Sequence, residues 1–248
     1  MLAEAERPPP QPPEAAAWGP RDIVFALAVA LGMGFVLVNL IVTPVALVVG
    51  TSDDPAVLTA GLFATLLFDG ALFGSAAFFS VVRHHLSWHA LGLRTPSVNQ
   101  LWLGVATAVA AQVTVATYAA IVQLLGLDAL VPGTNVPEKL FEQRLVLPLV
   151  GVATVLVAPL AEETFFRGFV FGGLRRYGFF WAALASGLMF SVAHLNPGGL
   201  LPLTLVGMLF AWSYSRTGTL WTNVTAHLVF NLVSFIALTA IVQSGGTP

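Results

Sequence analysis

The chain has 248 residues, 57% of them hydrophobic and only 9% charged, with a mean hydropathy of +0.85. Soluble domains carry about 25% charged residues, so this inventory cannot assemble a water-facing surface and the chain is built for lipid. The formal net charge of -2 gives nucleic acid no electrostatic reason to bind, and the lack of cysteine excludes disulfides, thiol nucleophiles and thiolate metal sites.

The first residues, "MLAEAERPPPQPPEAAAWGPRD", carry charges of both signs and a proline cluster without an early apolar core. They do not read as a secretory signal. A disordered Pro-rich cytoplasmic tail is expected over 1–20. Seven stretches then approach the ~20 apolar residues of a spanning helix: 23–49, 56–82, 101–125, 145–174, 179–195, 200–214 and 220–242. The sixth is the shortest, because Gly198 and Gly199 blur its start. The expectation is an all-α polytopic membrane helix bundle of about seven transmembrane helices. Residues 21–248 form its single domain, with the chemistry concentrated at about 145–235.

Basic residues set the orientation. Arg7 and Arg21 precede the first stretch, Arg83 and Arg94 follow the second, Arg175 and Arg176 the fourth, and Arg216 the sixth. Lys139 and Arg144 fall on the other side, among Asp128, Glu138 and Glu142, and the first loop holds Asp53 and Asp54. The N-terminus is therefore expected in the cytoplasm.

Within the spans lie Asp69, Glu162, Glu163, Arg167, His194 and His227. Each costs about 2.5–3.5 kcal/mol to insert, which makes function the default explanation. Helix rise, counted from the flanking residues Arg176, Gly178 and Arg216, puts Glu162, His194, His227 and Asn231 about 17–24 Å deep. Three helices thus deliver polar groups to one layer of the bilayer. Glu163 and Arg167 are spaced i,i+4 and can pair, while Glu162 projects about 100° away. His227 and Asn231 share a face at the same spacing, as do Phe190 and His194. Such parts suit the addition of water to an amide. A carboxylate taken out of water gains basicity and can serve as general base. A histidine can hold the water, and an imidazole N–H with a side-chain amide can donate to the developing oxyanion.

The segments "EETFFRG", "FSVAH" and "RTGTLWTNVTAHLVFN" resemble the three motifs of the CPBP family of intramembrane proteases (CAAX proteases and bacteriocin-processing enzymes), EExxxR, FxxxH and HxxxN, in family order. The resemblance covers roughly 145–235. It implies an intramembrane endopeptidase in which Glu162 and His194 activate water, His227 and Asn231 form the oxyanion hole, and Glu163 and Arg167 support them. The partners implied are membrane lipid and a peptide or protein substrate, with or without a lipid tail. The absence of a eukaryotic targeting signal and the compactness of the chain make a bacterial plasma or inner membrane, crossed several times, the expected setting.

Plainer readings stand beside these. Glu163 and Arg167 can be a purely structural ion pair. A lone membrane histidine is more often a helix–helix bonding partner, but two at matching depth beside Glu162 point to a site. Asp69 adjoins Gly70 and Gly74, a close-packing pair, and reads as structural or as a cavity wall. His84, His85 and His89, near Trp88, read as interfacial anchors rather than metal ligands. Glu162, His194 and His227 can also supply three zinc ligands with a fourth position for water, as in a metalloprotease. The same residues serve with water alone, and metal-free catalysis is the expectation. The alternative functions are a non-catalytic membrane immunity or scaffold protein and, less favoured because no inverted repeat is visible, a proton-coupled transporter.

Overall fold

Helix starts and stops follow local chemistry. Pro20 and Pro55 occupy first-turn positions where a missing N–H costs nothing, and Asp54 caps the second helix by accepting from Ala56 N at 2.8 Å. Ser97 and Gln100 form a capping box. Gly50 and Gly218 end their helices in the left-handed conformation that glycine tolerates.

The computed structural model describes residues 16–134 and 136–245. In chain order its long helices are α1 (Pro20–Val49), α2 (Pro55–Val82), α3 (Val98–Leu124), α4 (Leu147–Tyr177), α5 (Phe179–Ala193), α6 (Leu200–Thr217) and α7 (Leu220–Gln243). No strand occurs among the described residues. The helices follow the seven expected stretches in order, but only five (α1 to α4 and α7) are long and apolar enough to cross a membrane. At 15 residues, α5 reaches only about 22 Å. Pro202, Ser213, Tyr214, Ser215 and Arg216 dilute the apolarity of α6.

Polarity is distributed inside out. Leu47, Val48, Trp102 and Leu124 are more than 60% exposed, whereas Asp69, Glu163, Arg167, Asn223 and His227 are buried. Large apolar side chains spread over the outer surface, around an ionisable interior, suit a lipid solvent. The protein is a multi-pass helical membrane bundle.

At the centre, α4 packs against α1, α2, α5, α6 and α7. The α5–α6 pair crosses where Gly187 meets Thr204 and Gly207. A Cβ on Gly187 would lie 2.7 Å from Thr204 O, so only glycine permits that approach.

The expected tail over 1–20 falls mostly on residues 1–15, outside the described residues. Within the remainder, Trp18 is packed against α4. Trp18 is 1% exposed, its Nε1 donates to Phe169 O at 2.8 Å, and its ring stacks on Phe169 with centroids 5.9 Å apart. Arg176 Nη2 donates to Ala16 O at 2.6 Å and also to Trp18 O. Replacing Trp18 by Phe keeps the stack and removes the indole donor from the Phe169 carbonyl, which the Gly172 N–H also approaches. The expected loss is about 0.5–1.5 kcal/mol, read as a lower thermal midpoint of the detergent-solubilised protein.

Candidate active site

Helix α4 is not a regular α-helix. Two π-helical stretches, Val152–Val157 and Thr164–Phe171, flank the α-helical segment Ala158–Glu163 that carries both glutamates. Pro159 offers one cause, since it has no N–H for the carbonyl four residues back and its ring crowds that turn. The wider turns leave carbonyls open to side chains from elsewhere. Thr154 O accepts from Asn231 Nδ2 at 2.7 Å, Phe166 O from Ser186 Oγ at 2.7 Å, and Phe169 O from Trp18 Nε1.

Glu163 is the hub. Its Oε1 accepts from Arg167 Nη1 at 3.0 Å and lies 2.9 Å from His227 Nδ1, and its Oε2 accepts from Asn223 Nδ2 at 3.4 Å. Glu163 and Arg167 are both fully buried. The pairing at i,i+4 is the one expected from spacing. The guanidinium carbon of Arg167 sits 4.4 Å from the Phe190 ring centroid and 5.2 Å from that of Phe210, between two aromatic faces. Phe190 and Phe210 also flank the His227 ring, at 5.7 and 5.6 Å.

Glu162 lies in a different environment. Its side chain is 16% exposed, and its Oε2 is buried without a hydrogen-bond partner. That oxygen is 3.9 Å from His227 Nε2. His194 caps the C-terminus of α5, with Nδ1 2.8 Å from Phe190 O. A carbonyl only accepts, so Nδ1 carries the proton and Nε2 presents a lone pair. Its ring lies 4.5 Å from Phe190, which also contacts His227.

The structure therefore brings Glu162, Glu163, Arg167 and His227 together, and places His194 across Phe190 from His227. One N–H of the Asn231 amide donates to Thr154 O at 2.7 Å, and the amide nitrogen carries a second. Asn223 and Phe210 were missed by sequence reasoning. The signal for Asn223 was present, because Asn223, His227 and Asn231 recur every four residues on one face of α7.

Among the described residues, no three His, Cys, Asp or Glu side chains are gathered closely enough to hold a metal ion. The zinc alternative needs Glu162, His194 and His227 as a set; Glu162 and His227 approach to 3.9 Å, and both histidine rings lie against Phe190. His84 instead places Nε2 3.4 Å from Asp22. Trp88 stacks on Phe73 with ring centroids 5.8 Å apart. Asp69 is 3% exposed, with Oδ2 unpartnered, on α2 where that helix packs against the glutamate segment of α4.

Arg167→Met leaves Glu163 uncompensated in the interior, with an expected cost of about 3–5 kcal/mol. The double variant Glu163→Gln/Arg167→Met removes both charges and recovers part of that loss. Thermal unfolding of the two purified variants beside the wild type measures the difference.

A family model described as type II CAAX prenyl endopeptidase Rce1-like matches residues 144–233. The chain is also similar to a Bacillus subtilis (strain 168) protein named "Putative membrane peptidase YdiL", 37% identical over 86 residues. That alignment covers 34% of this chain and 35% of the relative, so the chain spans about a third of the length of the protein it matches. No solved structure matches. Glu162, Glu163, Arg167, His194, His227 and Asn231 all fall inside the matched stretch, so it is the part of the chain that carries the candidate site that is similar to the type II CAAX prenyl endopeptidases.

Proposed function

We propose that the protein is an intramembrane endopeptidase that hydrolyses peptide bonds with a water activated by Glu162 and held by His194. The observation that carries this reading is the unpartnered Glu162 Oε2, buried and 3.9 Å from the Nε2 of a histidine whose other nitrogen is braced by Glu163. A base placed beside an imidazole that a third group orients is the arrangement hydrolytic sites use. Glu162 removes a proton as the water oxygen adds to the amide carbon. His194 Nε2 accepts the second water hydrogen and aims the nucleophile. His227 and the second N–H of Asn231 then face the developing oxyanion. As the C–N bond breaks, the leaving nitrogen takes up the abstracted proton.

The family points to peptide substrates, with or without a prenylated C-terminal tail. The likeness to a bacterial relative favours a bacterial plasma membrane. Arg21, Arg83, Arg94, Arg175, Arg176 and Arg216 share the end of the bundle where Arg83 pairs with Asp22 at 3.2 Å and Arg176 holds the Trp18 segment. That end is the cytoplasmic one by the basic-residue rule. The opposite end carries the Lys139–Asp53 pair at 3.3 Å.

The test uses the full chain in lipid nanodiscs with two fluorogenic peptides of one sequence, one ending in a farnesylated CaaX tail and one unlipidated. Wild-type cleavage of either, falling at least about 100-fold in Glu162→Gln while insertion and thermal midpoint are kept, is the expected result. Unchanged cleavage in Glu162→Gln would overturn the assignment. Proton flux through Glu162 in liposomes without cleavage would favour the transporter instead.

A further inference from the structure

Asn223 lies four residues before the HxxxN core of the third motif and is completely buried in α7. Its Nδ2 donates to Phe210 O at 2.7 Å and to Glu163 Oε2 at 3.4 Å, and its Oδ1 accepts from Ser213 Oγ at 3.3 Å. A backbone carbonyl and a carboxylate can only accept, so the orientation of this amide is fixed by its neighbours. With Asn223 on Oε2, the Glu163 carboxylate is held so that Oε1 faces both Arg167 and His227. Glu163 is ion-paired with Arg167, so it too can only accept, and the proton between it and His227 sits on Nδ1. The Nε2 of a neutral His227 is then a lone pair aimed toward Glu162 Oε2.

We propose that Asn223 is a positioning residue that locks Glu163, and through it the Nδ1–H tautomer of His227, so that His227 is a proton acceptor before it can be an oxyanion donor. The kinetic part of this rests on the proteolytic reading above; the tautomer does not. In sequence, Glu162 takes the proton of the attacking water and passes it to His227 Nε2. The imidazolium so formed is stabilised by Glu163 on its far side and donates Nε2–H to the oxyanion. When the C–N bond breaks, that proton moves from Nε2 to the leaving nitrogen. His227 returns to its neutral Nδ1–H form and Glu162 to its carboxylate. The Asn223–Glu163–His227 chain thereby performs the orienting role that a buried carboxylate performs for a catalytic histidine.

Asn223→Asp tests this with almost no change of volume, since it turns a donor to Glu163 into an acceptor. The full chain, labelled with nitrogen-15 on histidine and held in nanodiscs, gives imidazole signals that separate protonated from lone-pair nitrogens. The His227 signals are assigned by their loss in His227→Gln. In the wild type near neutral pH, Nδ1 protonated and Nε2 unprotonated is expected. In Asn223→Asp, the Nε2–H tautomer gains population. On the cleaved peptide, kcat falls about tenfold or more with KM within about twofold. A wild-type His227 carrying its proton on Nε2 overturns the proposal whether or not any variant folds. An unaltered His227 spectrum in a folded Asn223→Asp protein overturns it as well. If no peptide is cleaved but the wild-type tautomer is as stated and shifts in the variant, the proteolytic reading fails and the positioning role stands.

Discussion

The full burial of Glu163 and Arg167 inside a bundle whose outer surface is apolar is the constraint on which the other features depend. Either charge alone would carry an effective penalty of several kcal/mol away from water, and pairing offsets it only when further groups complete the solvation. One hydrogen bond joins the pair, and Arg167 Nε and Nη2 have no hydrogen-bond acceptor. The faces of Phe190 and Phe210 take that place, as a desolvated cation between aromatic rings is stabilised by about 2 kcal/mol or more. Glu163 in turn receives His227 and Asn223. These rings and donors come from α5, α6 and α7, so completing the solvation of one ion pair on α4 requires three other helices to dock around it.

A second constraint reinforces the first. In lipid, every backbone carbonyl needs an internal donor, and the π-helical stretches of α4 release carbonyls that a straight helix would satisfy. Asn231 from α7, Ser186 from α5 and Trp18 from the segment before α1 supply those donors. Regular helices can slide or rotate against one another, because dispersion contacts change little with register. A side-chain donor seated on a particular released carbonyl cannot. The irregularity of α4 thus fixes the azimuth at which its glutamates meet α7. It also explains why Trp18, which lies far from the glutamates in sequence, is tied to the same helix.

What the sequence made legible follows from this division. Composition and long apolar runs were enough for a helical bundle and for the order of its helices, because hydrophobic length depends only on local residues. Spacing was enough for the Glu163–Arg167 pair, since i,i+4 neighbours on one helix need no tertiary information. Long-range partners were harder. Asn231 shares a face of α7 with His227, and the bond that its amide also makes to a released carbonyl at Thr154 is not part of that pattern. That release comes from a change of helical register, which a periodicity of 3.6 does not contain. Trp18 was assigned to a tail by its proline-rich neighbours, whereas its indole is held by a backbone carbonyl of Phe169 that no residue-type pattern marks. Asn223 was overlooked among the apolar residues of α7, although its four-residue offset from His227 was there to be read.

The adjacent glutamates show how one dipeptide yields two chemistries. Consecutive residues on a helix point about 100° apart, so Glu162 and Glu163 cannot share surroundings. Glu163 turns into the bundle, where Arg167, His227 and Asn223 occupy both of its oxygens. It is held as a buried negative charge paired with Arg167. Glu162 keeps one buried oxygen without a partner, beside His227 Nε2. An unpartnered acceptor in the interior is costly to the fold, and a bundle that satisfies Glu163 three times over while leaving Glu162 open has put that cost where a water molecule can relieve it. Two carboxylates with environments driven apart are how a single site separates a structural or electrostatic role from a proton-transferring one. The doublet's two environments are thus set by helical geometry: the inner glutamate is bonded to His227, and the outer one keeps an oxygen without a partner.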